Sequence, residues 1–200
     1  MARLYTTLLF FLCFFALKAQ THKEPNPLQQ FFKNNYDSTI IYYPWSNWDS
    51  APNYYIVAKK GRDVYCFTYS CPPYKRMAGR YYPGNLNLKF MQLYNKFKAI
   101  SPDTNNYFAA YTANYNSQKS LWKQINSFGI WNLKDKDLPN NTCVTDDGGY
   151  DTYYLITNTG VRAMEYYGVE TNKECAPKDI NRQKNIQIRE CVKTLFQNSH

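Results

Sequence analysis

The sequence predicts an α+β domain, a tyrosine-rich antiparallel β-sheet with amphipathic helices packed on it. Three observations carry this reading. Residues 54–61 followed by 63–69, and 153–160 followed by 161–167, each read as two apolar, β-branched runs with a glycine at the turn, the signature of a hairpin. Helix-period patterns interleave with these hairpins without the regular strand–helix alternation of a parallel sheet. The chain also holds 20 tyrosines, a residue suited to pleated, half-buried surfaces.

The elements follow in order. Arg3, the apolar run Leu4 to Leu17 and the small Ala19 before Gln20 form a secretory signal over residues 1–19, too short to span a bilayer with ordinary flanks. Cys13 lies within the apolar run after Leu12, where a lipoprotein signal requires small residues. A single α+β domain over 20–200 is expected, secreted or periplasmic, with no transmembrane segment after signal removal. Residues 20–26 read as a polar tether. Asn26 and Pro27 then mark a helix cap and first position, and Leu28, Phe31 and Phe32 form the apolar stripe as far as Asn34. Thr39 to Tyr43 is a strand that Pro44 is expected to end.

The first hairpin leads to Cys71-Pro72-Pro73 and a helix pattern carrying Leu86, Phe90, Leu93, Tyr94 and Phe97 on one face. Tyr107 to Tyr111 is strand-like. A helix is expected from about Ser120, carrying Leu121, Trp122, Ile125 and Phe128, with Gly129 as its C-terminal cap. Ile130 to Leu133 alternates like a strand. The second hairpin leads to Cys175-Ala176-Pro177 and a helix with Ile188, Val192, Leu195 and Phe196 on one face. The recurrence of hairpin, Cys-x-Pro step and helix suggests two related halves, about 36–100 and 130–198.

Charge and cysteine usage narrow the class. Lys and Arg number 24 against 15 acids, a formal charge of +9 that falls to about +7 once Arg3 and Lys18 leave with the signal. The basic residues are scattered without a run of five or six, so a nucleic-acid tail is not expected. Such a surface favours solubility and weak attraction to anionic envelope material. Five cysteines remain after Cys13 departs, and an oxidising compartment makes disulfides plausible. Two bonds among five cysteines allow 5 × 3 = 15 arrangements, which the sequence leaves open; the first choice is Cys66–Cys71 with Cys143–Cys175, leaving Cys191 as a thiol on the apolar side of a helix.

Catalytic motifs are absent. His22 and His200 are the only histidines, so neither a Ser–His nor a Cys–His mechanism has an internal base, and the imidazoles of a zinc site are missing. Nucleophile elbow, phosphate loop and dinucleotide fingerprint do not occur, and no cofactor or metal is expected. The densest polar cluster, Asp146-Asp147-Gly148-Gly149-Tyr150-Asp151, lacks the ligand spacing of a calcium loop and reads as a turn. Asn140-Asn141-Thr142 is a formal glycosylation acceptor in a eukaryotic host.

Two aromatic segments remain as candidate contact surfaces. Tyr42, Tyr43, Trp45 and Trp48 fall in a segment expected as a loop, where Trp and Tyr beside Asn and Asp stack on sugars or anchor a protein partner. Tyr74, Arg76, Arg80 and Tyr81 combine charge with stacking surface. The signal ends Leu-Lys-Ala-Gln, as in certain Gram-negative bacteria. Ile130-Trp131-Asn132-Leu133, Asp147-Gly148-Gly149-Tyr150, Tyr153 to Ile156 and Glu165-Tyr166-Tyr167 together resemble the closing segment of small uncharacterised secreted proteins of Gram-negative bacteria. That resemblance covers the last third of the chain and implies export with a hairpin and terminal helix. The expected function is an exported, non-catalytic binding or inhibitor-like module whose partner is a protein or glycan of the cell envelope. The alternatives are an envelope glycan hydrolase working through carboxylates such as Asp146, Asp147 or Asp151, and a structural envelope protein.

Overall fold

Helix α1 (Pro27–Asn35) begins where the Asn-Pro pair places it. The Asn26 side chain accepts the Gln29 amide at 2.9 Å and Gln29 Oε1 accepts the Asn26 amide at 3.1 Å, a reciprocal box that satisfies two otherwise orphaned donors. The computed structural model describes residues 25–46, 53–70, 92, 108–111, 114–134, 148–169 and 178–197. The signal, the helix pattern of 86–97 apart from Gln92, the Cys-x-Pro steps and the 140–142 acceptor lie outside the described residues.

After α1 the chain forms β1 (Ser38–Trp45), β2 (Asn53–Lys60), β3 (Asp63–Ser70), β4 (Phe108–Ala110), helix α2 (Tyr115–Ser127), a 3-10 turn (Ile130–Asn132), β5 (Tyr150–Thr157), β6 (Gly160–Tyr167) and helix α3 (Ile180–Gln197). The six strands make one sheet in the order β4-β3-β2-β1-β5-β6, antiparallel throughout. The α+β class is therefore as the sequence predicts. Both hairpins form: β2 and β3 turn through Gly61 at φ +59°, and β5 and β6 turn through Asn158 and Thr159. Each places its first strand beside β1.

Helices cover both faces, so the strands bury residues of both parities. On one face, Leu28 and Phe32 of α1 pack on Ile41, Tyr54, Ile56, Ala58, Phe67, Tyr69 and Ile156. On the other, Leu121 and Ile125 of α2 and Ile188, Val192 and Phe196 of α3 pack on Ile40, Tyr42, Val57, Cys66, Tyr153, Leu155 and Met164. The helix face expected from the sequence at 188–196 is the buried one.

The expectations for Pro44, for Ile130 to Leu133 and for Cys66 are corrected. Pro44 does not end β1; it pairs with Asp151 of β5 at a point where pairing with β2 has stopped at Tyr42, and a residue lacking an N–H is tolerated where a strand keeps only one neighbour. Ile130 to Leu133 is a 3-10 turn, not a strand. Gly129 takes the left-handed conformation (φ +73°), and the three-residue period then buries Ile130 and Leu133 together. Cys66 is a free thiol, so the expected Cys66–Cys71 bridge is not formed. Its side chain points from β3 into the core under α2 and α3, where burial pushes the thiol up to about 12. Cys71, Cys143 and Cys175 lie outside the described residues, and Cys191 is free and half-buried.

Helix α2 starts five residues before the expected Ser120, because the Asn114 side chain accepts the Asn116 amide and caps a polar first turn that has no apolar period.

Candidate functional site

Residues 42–45 belong to a strand, so their side chains alternate between faces rather than gathering in one loop. Tyr42 points into the α2–α3 core and is 1% exposed. It is removed from the contact surface on which the sequence placed it. Tyr43 and Trp45 point to the α1 face, both half-buried. Trp48, Tyr74, Arg76, Arg80 and Tyr81 lie outside the described residues.

On that face β1 meets aromatic residues from four other strands. Trp45 stacks on its register partner Tyr150, with centroids 4.0 Å apart and planes 6° from parallel. Tyr150 meets its partner Tyr167 at 4.7 Å. Tyr43 stands alongside Trp45 at 6.4 Å and contacts Tyr54 at 4.8 Å, and Tyr54 stacks on Tyr69 at 5.9 Å. The result is a continuous aromatic stripe from β3 to β6. Its β3 end is buried at Tyr54 and Tyr69, while Tyr43, Trp45, Tyr150 and Tyr167 are half-buried.

Polar bonds fix the half-buried end. Trp45 Nε1 donates to Thr152 Oγ1 at 3.0 Å, and Thr152 Oγ1 donates to Glu165 Oε2 at 3.0 Å. The Gly148 amide donates to the Tyr167 hydroxyl at 3.0 Å. Tyr150 covers one face of the Trp45 indole, and the indole N–H and the Tyr167 hydroxyl are both held by bonds within the protein. Ring faces suit sugar stacking; edges with polar tips suit a protein partner. The sequence displayed only Tyr43 and Trp45 of this set. Tyr167 stands at the end of the expected hairpin and Tyr150 in the cluster read as a turn, and only strand register brings them to β1.

The second polar feature lies in the opposite layer. Asp151, 6% exposed, accepts the Tyr42 hydroxyl at 2.6 Å, the Asn185 amide at 3.3 Å and Arg189 Nη1 at 3.5 Å. Burial raises the Asp151 carboxyl above its ordinary range, and the Tyr42 bond, the charge of Arg189 and the Asn185 bond pull it back. Burial and the neighbouring carboxylate likewise raise the Tyr42 hydroxyl. Asn185 and Arg189 stand one helical turn apart on the same side of α3 as Ile188 and Val192, and polar residues on an apolar helix face are the sequence signal for such a cluster. With its oxygens held by the sheet and α3, Asp151 ties the two layers together. Asp146 and Asp147 lie outside the described residues. Among those described, no His, Cys, Asp and Glu group is placed to hold a metal ion, and no helix is long and apolar enough to cross a membrane.

Fold and site together define an α+β protein whose six-stranded antiparallel sheet carries an aromatic stripe on one face and a buried carboxylate cluster on the other. Comparison with protein families, curated proteins and solved structures gives no match.

Proposed function

We propose that this chain is an exported, non-catalytic binding module of the cell envelope that engages a protein partner through Tyr43, Trp45, Tyr150 and Tyr167. The observation that carries the reading is the Trp45–Tyr150 stack, a pair of large aromatic rings left half-buried on the α1 face of the sheet. Rigid aromatic anchors with polar tips dominate the energetics of protein interfaces and lose little rotamer entropy on binding. Export rests on the 1–19 signal, and the scattered positive charge adds attraction to anionic envelope surfaces. The basic-aromatic residues Tyr74, Arg76, Arg80 and Tyr81 supply a second contact segment in this proposal.

The hydrolase alternative draws no support from Asp151, whose carboxyl is enclosed by Tyr42, Asn185 and Arg189. The test is capture of envelope extract on the immobilised mature protein, followed by identification of what is retained and titration against variants. Trp45→Ala should weaken capture about tenfold or more, the scale of a truncated aromatic anchor. Trp45→Phe, which keeps a stacked ring and loses only the bond to Thr152, should retain most of it, with circular dichroism reporting that both variants fold. Equal capture by wild type and Trp45→Ala removes this surface from consideration. A retained glycan with no protein replaces the partner class.

A further inference from the structure

Two buried polar atoms without a protein partner stand beside Asp151. The Tyr153 hydroxyl and Asn185 Oδ1 are both sealed from solvent and neither makes a hydrogen bond. They come from opposite layers, Tyr153 from β5 and Asn185 from α3. The other end of the Asn185 amide is 3.3 Å from Asp151 Oδ2, and Arg189 Nη1 reaches the same oxygen at 3.5 Å. Tyr153 stacks on Tyr42 with centroids 5.0 Å apart, and its hydroxyl lies in the field of Asp151 and Arg189.

An orphaned buried polar atom costs free energy comparable to a lost hydrogen bond, and most such atoms in folded proteins are paired with protein or ordered water. Both contacts on Oδ2 are long, which is where a bridging molecule is to be sought. Thr39 Oγ1 and Arg182 Nε also lack hydrogen-bond partners, but Thr39 lies on the other face of the sheet, and Arg182 is anchored through Nη1 to the Tyr167 carbonyl and through Nε in an ion pair with Asp179. The chemistry left over at Asp151 is specific. A phenol offers a proton, while an amide carbonyl and a carboxylate oxygen each accept one. A bare anion cannot donate to those acceptors and a bare cation cannot accept from the phenol. A molecule that accepts once and donates twice satisfies all three.

We propose that an ordered internal water binds here, accepting from the Tyr153 hydroxyl and donating to Asn185 Oδ1 and Asp151 Oδ2. It bridges β5 to α3 and completes the cluster that joins the helix to the sheet. Buried waters of this kind make about three hydrogen bonds to groups that would otherwise be unpaired.

The test is a high-resolution crystal structure of the wild type together with the melting temperature of Tyr153→Phe, which keeps the ring and its stack on Tyr42. The expected result is a density peak within hydrogen-bond distance of Tyr153 Oη and Asn185 Oδ1, and a Tm for the variant lower by about 2–4 °C. A wild-type map without that peak overturns the proposal. So does a variant Tm equal to or above the wild type, the outcome for a hydroxyl with no partner, whose removal relieves a cost.

Discussion

At Tyr42 one hydroxyl governs how a buried charge is tolerated. Its 2.6 Å bond to Asp151 opposes the rise that burial imposes on that carboxyl. With the folded-state pKa above the ordinary value of 3.8, the folded protein holds the Asp151 proton more tightly than the unfolded chain. The stability from this site is therefore fully present below that ordinary value and declines as pH rises through the folded value. Tyr42→Phe removes the bond that lowers the folded value, so it widens the window and deepens the decline. We expect Tyr42→Phe to cost about 1–3 kcal/mol at neutral pH and less in acid, where the carboxyl is protonated in both proteins. Urea midpoints of the two proteins across pH check this. A cost that stays constant with pH would show that the bond does not bear on the ionisation of Asp151.

Among the elements, the hairpins and helices are legible because their signals are local: a glycine in a two-residue turn, an Asn-Pro cap, an apolar face every three to four residues. Where local alternation misleads, the deciding fact lies outside the run of residues that shows it. Pro44 reads as a strand end until β5 supplies a partner that β2 does not. Ile130 to Leu133 has the alternation of a strand, and the left-handed turn at Gly129 overrides it by setting a three-residue period. Gly129 is thus the pivot of the α2 exit. A Cβ there meets nothing within 4 Å, so the cost of Gly129→Ala is backbone strain alone, about 1–2 kcal/mol. Gly160, equally open and without a positive φ, is the control. Gly160→Ala should leave stability unchanged or raise it by about 0.4–1 kcal/mol. Thermal unfolding of the pair measures the difference; equal effects would mean that the turn at 129 relaxes freely.

Across the whole molecule, the aromatic stripe exists only because five strands hold register, which is why the sequence exposed two of its residues and concealed the rest. Tyr42 and Tyr43 are neighbours in the chain and belong to opposite layers, whereas Trp45 and Tyr150 are 105 positions apart and stacked. The Asp151 cluster was concealed for a related reason: beside Gly148 and Gly149 it reads as turn chemistry, and only α3 lying across the sheet encloses it. The same long-range assembly makes the stripe sensitive to a residue that is not part of it. A Cβ at Gly148 would lie 2.8 Å from Cζ of Tyr167, and the Gly148 amide donates to that hydroxyl. In Gly148→Ala the Tyr167 ring must swing away, loosening its contact with Tyr150 and through it the support of Trp45. The backbone at Gly148 itself is left unstrained, since Gly148 is not among the glycines with positive φ. Partner capture should therefore weaken by less than the loss caused by Trp45→Ala, while the melting temperature falls by no more than about 2–4 °C. Capture equal to wild type, with a crystal structure showing Tyr167 displaced, would confine the contact surface to Trp45 and Tyr43 and exclude the β6 end of the stripe.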